Sequence, residues 1–217
     1  VFIGHYAPAG PASAIARDVK LWHAFAAVQF LDLLWAPFIL LGIEEVRIEP
    51  GFTAANPFDL RHMPYTHSLP MAAAWSVLAA AAFRYPMRKS AQGAVIVGLL
   101  VFSHWLADLV VHAPDLPLWF GGPKAGFGLW NVPWVSIPLE FASYAAAIGA
   151  FVLGTRPRSR FSIVAPATLF LVGCAFQAIG SFGPPPPSPE AAARSALAAF
   201  AALIGLAAWA DAARSNA

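Results

Sequence analysis

In AQGAVIVGLLVFSHWLADLVVHAPDLP, residues 91–117, a run long and apolar enough to cross a bilayer carries histidine and aspartate toward its end. The stretch from Ala91 to His112 reads as a helix, because lipid leaves no other partner for its backbone N–H and C=O groups. On that helix His104, Asp108 and His112 stand at i, i+4 and i+8, so they form one polar stripe. Asp115 follows just past the helix end, where Asp-Leu-Pro also suits an ordinary turn. An ionised carboxylate well inside a bilayer costs about 2.5–3.5 kcal/mol, and such groups persist when they pair, face a cavity or hold a cation.

The rest of the chain extends this reading. Of 217 residues, 59% are hydrophobic and only 11% are charged, with a mean hydropathy of +0.64. A soluble domain carries nearer a quarter charged residues, so the composition is that of an integral membrane protein. The expected fold is all-α: a polytopic transmembrane bundle of about six spans, forming one membrane domain over residues 1–217. The spans fall near Leu21–Ile43, Ser68–Tyr85, Ala91–His112, Trp134–Leu153, Phe161–Phe182 and Ala191–Ala210. The apolar segment 1–16 adds a re-entrant or interfacial helix, and it lacks the basic lead of a cleaved signal peptide.

Basic residues set the orientation. Arg17 and Lys20, then Arg84, Arg88 and Lys89, then Arg156, Arg158 and Arg160, and finally Arg214 all fall on one side of a six-span chain. Both termini are therefore expected in the cytoplasm. A net charge of +2 says little about partners; no long basic run points to nucleic acid, and membrane lipid is the expected one. The GPPPPSPE stretch at 183–190 reads as a stiff linker. Cys174 reads as a small buried hydrophobe.

Other spans supply further polar groups. Asp32 lies in the middle of the first, and His67 opens the second in PYTHSLP. If the second and third spans pack antiparallel, His67, His104, Asp108, His112, Asp115 and Asp32 line one polar shaft. Neutral imidazole with carboxylate suits a divalent cation, zinc first, with iron or manganese as alternatives. His5 joins them only if the N-terminal segment re-enters the bundle. Several polar residues carry blander readings. His23 packs or snorkels, His62 is solvated, and Thr66 and Ser68 either donate a hydrogen bond to a ligand or cap the second helix, capping being preferred. The FGGPKAGFGLWN loop lacks the GK[ST] ending of a phosphate-binding loop, and Lys124 would serve there as a lid or anion contact.

YTHS at a helix start, SHWLAD on a later span, an aspartate inside the first span and an early histidine together resemble the bacterial membrane-bound metal-dependent hydrolases. These are also described as LexA-binding, inner-membrane-associated (YdjM-like) hydrolases. The resemblance covers residues 1–150, and 151–217 add two spans. It implies His5, Asp32, His67, His104 and Asp108 as metal ligands.

The leading expectation is a membrane-embedded metal-dependent hydrolase acting on a phosphoester or acyl bond of an amphiphilic, lipid-like substrate. Asp108 or Asp115 would orient or deprotonate water, with His112 in support, and the ion would acidify that water. The alternative is a non-catalytic subunit packed within a larger membrane complex, with the polar shaft a structural ion-pair network. A haem held by His104 or His112 fits the neighbouring carboxylates poorly, and an absorption spectrum decides it.

Overall fold

A computed structural model describes residues 2–216, and they are mostly helical. A 3-10 turn at Ile3–Tyr6 leads into α1 (Ala9–Ile15), α2 (Leu21–Val28) and α3 (Phe30–Leu40). Then come α4 (Leu69–Arg84), α5 (Ala91–Val111), α6 (Pro133–Leu153), α7 (Val164–Phe182) and α8 (Pro189–Ala213). Four of these, α5 to α8, are long and apolar enough to cross a membrane, and α2 with α3 makes a fifth if the bent pair is one crossing. The expected second span is the 16-residue α4, which falls short by that measure. Length and composition therefore support four or five crossings.

Three short antiparallel ribbons join the helices, which an all-α reading does not contain. β1 (Glu45–Ile48) pairs with β2 (Phe58–His62), β3 (Leu116–Pro117) with β4 (Lys124–Ala125), and β5 (Thr155–Pro157) with β6 (Arg214–Asn216). The main core gathers Tyr6, Phe25, Leu31, Tyr144, Leu169 and Leu203. A smaller cluster of Trp35, Ile39, Val46, Leu60, Met63 and Leu116 seats the β1–β2 ribbon against α3.

Helix ends are satisfied by named groups. The Ser90 hydroxyl accepts from Gly93 N at 2.9 Å and starts α5. Asp211, near the end of α8, accepts from the Leu21 and Trp22 amides, both at 3.0 Å, and so caps α2. The Arg214 guanidinium donates to the carbonyls of Val152, Thr155 and Ser162, which ties the C-terminal strand to the end of α6.

The first span breaks at Gln29, where the sequence shows an otherwise apolar run interrupted by Gln29 and Asp32. Gln29 departs from helical geometry (φ −98°, ψ 6°), and α2 and α3 meet at 49°. Its side chain is fully buried and donates to Asp32 Oδ2 at 3.0 Å. The break leaves the Val28 carbonyl at a helix end, free to serve another element.

The N-terminal segment is inserted in the bundle, packed against α2, α5 and α6. Glu140 on α6 accepts from Phe2 N at 2.8 Å and Gly4 N at 3.5 Å, and the Gln177 side chain on α7 accepts from Ile3 N at 3.3 Å. Gly10 lets α1 approach α6 closely, since a Cβ there would overlap the Ala147 carbonyl. Gly10→Val is expected to cost at least about 1–3 kcal/mol by overpacking. A lowered thermal midpoint in detergent checks it, and an unchanged midpoint contradicts the close approach.

Candidate metal centre

α5 supplies the spine of the site. Residues His104 and Asp108 face inward from its last two turns, and His112 is its C-terminal cap, with φ −63° and ψ 148°. The expected stripe is therefore present, its last rung standing on extended backbone. The glycine-rich loop closes over this end. Phe127 N donates to Leu109 O at 2.8 Å and Gly128 N to His112 O at 2.7 Å, taking two of the helix's terminal carbonyls. Gly126 must be glycine for that approach, because a Cβ would overlap the Ala113 carbonyl.

Four imidazoles and two carboxylates converge. His67 Nε2 lies 3.3 Å from Asp32 Oδ1 and 3.6 Å from Asp108 Oδ2. His104 Nε2 lies 3.6 Å from Asp32 Oδ1 and 3.2 Å from Asp108 Oδ2. On the other oxygen of the same carboxylate, Asp108 Oδ1, His5 Nε2 stands at 3.3 Å and His112 Nε2 at 3.5 Å. His5, His67, His104, Asp108 and His112 are all at most 6% exposed. Asp32 is the open member, with 19% of its side chain exposed.

The far nitrogens of three rings are held by acceptors. His104 Nδ1 meets the Val28 carbonyl at 2.7 Å, and a carbonyl only accepts, so Nδ1 carries the proton. His112 Nδ1 meets Asp115 Oδ1 at 3.1 Å, while Asp115 Oδ2 accepts from Leu60 N at 3.2 Å. Thr66 Oγ1 donates to Glu44 Oε2 at 2.5 Å, which leaves its lone pair for His67 Nδ1–H at 2.7 Å. In neutral rings this leaves Nε2 lone pairs pointing among carboxylate oxygens. Lone pair against lone pair is repulsive unless a cation lies between.

Distance separates the two kinds of cation that could lie there. A proton shared between imidazolium and carboxylate draws them to about 2.7–2.9 Å. Ligands held at about 2.0–2.2 Å around a tetrahedral ion stand roughly 3.3–3.6 Å from one another. The six ring-to-carboxylate separations run from 3.2 to 3.6 Å. His104 Nε2 is moreover buried without a hydrogen-bond partner. These buried groups could hold a metal ion: His5, His104 and Asp108 are mutually close enough, as are Asp32, His67 and His104.

Other polar residues of interest lie elsewhere or do other work. His23 is buried and its Nδ1 accepts from Lys20 N at 3.1 Å, while His62 is exposed. Cys174 is half-buried against the main core. Lys124 donates to the Leu60 carbonyl at 2.6 Å, so it pins the loop to β2 rather than facing the cluster. Ser68 begins α4 but its hydroxyl donates back to Pro64 O at 2.6 Å, and Thr66 serves His67 instead of capping.

Glu44 and Glu140 carry functions that spacing alone did not suggest, and Thr66 takes a hydrogen-bonding role beside His67 in place of the capping one. Glu44 binds the Tyr65 and Thr66 amides at 2.8 and 2.9 Å besides the Thr66 hydroxyl, and so builds the turn that presents His67. Thr66→Val keeps the shape of the side chain and removes the acceptor for His67 Nδ1. Metal affinity is expected to fall about 10–100-fold, measured by competition with a chromophoric chelator, while Thr66→Ser retains it. Equal affinity in Thr66→Val would remove His67 from the ligand set. No family model matches the chain, and no curated protein or solved structure is detectably similar to it, so the functional reading rests on the geometry of this centre.

Proposed function

We propose that the chain is a metal-dependent hydrolase of the bacterial cytoplasmic membrane, of the kind that its YdjM-like resemblance implies. The observation that carries this reading is the spacing of ring nitrogens and carboxylate oxygens, which suits a tetrahedral ion such as zinc better than hydrogen bonds. With α4 as a short crossing beside α5 and the α2–α3 pair as one, the chain makes six crossings with cytoplasmic termini.

A divalent cation there supplies Lewis acidity toward a phosphoryl or acyl oxygen. The protein's own groups do the rest. Asp32 forms the opening, two helical turns or about 12 Å short of Leu40 at the end of α3. A scissile bond reaching it from the membrane side belongs to an amphiphile, a phospholipid or an isoprenoid phosphate. Asp108 touches both halves of the cluster and orients the attacking water. Asp115, held against the His112 ring at the end of α5, receives the water's proton as its oxygen bonds to phosphorus or carbonyl carbon, and the proton passes to the leaving oxygen as the ester bond breaks.

The test is hydrolysis of phospholipid and isoprenoid-phosphate mixed micelles by detergent-purified protein. Turnover is expected to vanish with chelator and return with zinc. Asp115→Asn is expected to lower kcat about 10²–10⁴-fold with KM within a few-fold. Metal-loaded protein inert toward both substrate classes would remove the enzymatic reading.

A further inference from the structure

The metal reading leaves open how many cations the cluster takes, and the ring geometry bears on that number. His5 and His104 lie flat on each other, with centroids 3.8 Å apart and planes within 5°. Imidazole binds a metal through a lone pair in the ring plane. A single ion midway between parallel rings would sit up to about 1.9 Å out of each plane, a large part of a Zn–N bond of about 2.0–2.1 Å. Two stacked rings of this kind aim at two points, separated by about the stacking distance.

The Asp108 carboxylate lies across those two points. Oδ2 meets His104 and His67, while Oδ1 meets His5 and His112. We propose that Asp108 bridges two divalent cations, one held by Asp32, His67, His104 and Asp108 Oδ2, the other by His5, His112 and Asp108 Oδ1. The inference rests on the metal-site reading of the same cluster and adds a second ion to it. The stacking distance falls within the spacing of two-metal hydrolytic sites, about 3.5–4 Å.

Charge points the same way. The carboxylates in and just behind the cluster are half-buried Asp32 and buried Asp108, Asp115 and Glu44, with buried Glu140 beneath the N-terminal turn. With neutral imidazoles one divalent cation leaves most of this negative charge uncompensated in a low-dielectric interior, and two offset the greater part of it. The second subsite has fewer protein ligands, three against four, which leaves it the coordination position for substrate oxygen. The N-terminal turn thereby gains a purpose. Glu140 and Gln177 fix the backbone of residues 2–4, and that fixes His5 over His104.

The experiment is zinc titration of chelator-stripped, detergent-purified protein by calorimetry, paired with electron paramagnetic resonance of the manganese-loaded form. Wild type is expected to take two ions per chain and to give an exchange-coupled manganese spectrum. His112→Ala and His5→Ala are each expected to take one ion and to show the isolated six-line pattern. One ion in wild type overturns the bridge and leaves the single-metal reading intact. No ion overturns both. A second ion that survives in both variants places it outside this subsite and overturns the assignment. Should His5→Ala fail to fold, His112→Ala carries the same comparison.

Discussion

Stripping the metal from purified protein is expected to destabilise it by about 4 kcal/mol when free zinc had stood a thousand-fold above its dissociation constant, since a ligand that binds only the folded state stabilises by mass action. The loss has a structural counterpart here. Asp32 and Asp108 reach the same two imidazoles from α3 and α5, while His67 precedes α4 and His5 precedes α1. A cation at the centre is a cross-link among four segments, and without one the carboxylates and ring nitrogens must find protons or repel. Thermal unfolding in detergent measures it. The midpoint should fall with chelator, return with zinc, and fail to return with zinc after His104→Ala. A midpoint indifferent to chelator would make the cluster a network of ion pairs, which holds together without metal.

That cross-link explains which parts of the site were legible in the sequence. The ladder His104, Asp108, His112 was readable because i+4 spacing on a helix allows one outcome, and polar groups in a span need partners. Asp32 was readable by the same cost, at a depth near that of His104, and His67 as the histidine that opens the neighbouring span near the level of His112. What lay outside reach was the break at Gln29. FAAVQFLDLLW is apolar except for Gln29 and Asp32, and nothing in its pattern separates a straight helix from two segments meeting at 49°. The break turns on tertiary demand: it offers the Val28 carbonyl to His104 and the Gln29 amide to Asp32.

The groups behind the ligands were missed for different reasons. Glu44 lies outside the helices, 22 residues from Thr66, and only the β1–β2 ribbon brings them together. The alternation in EVRI and FDLRH was the available sign of that ribbon, though both strands are short. Glu140 was within reach, as an acid inside an apolar span is a site candidate by default. Its role became clear only with the N-terminal turn folded against α6 and the Phe2 and Gly4 amides aimed at its carboxylate.

Asp108→Asn is the substitution expected to do the most damage, and it separates the remaining readings of the cluster. The amide keeps the size of the carboxylate, so packing around α5 is preserved, but it brings no charge and replaces one oxygen with a donor nitrogen. If Asp108 bridges two cations, neither subsite survives: calorimetry should find no tight zinc, and hydrolysis should fall by about 10³-fold or more, equivalent to roughly 4 kcal/mol of lost transition-state stabilisation. Asp32→Asn removes a ligand from one subsite only, and is expected to keep the ion held by His5 and His112. If the imidazoles are instead protonated and Asp108 serves as their counter-ion, both substitutions leave buried cations short of charge, and Asp108→Asn should cost about 3–5 kcal/mol of folding stability with or without chelator. The two cases part on one comparison. A metal centre makes Asp108→Asn resemble stripped wild type in stability, whereas an ion-pair network places it well below wild type that chelator has not changed.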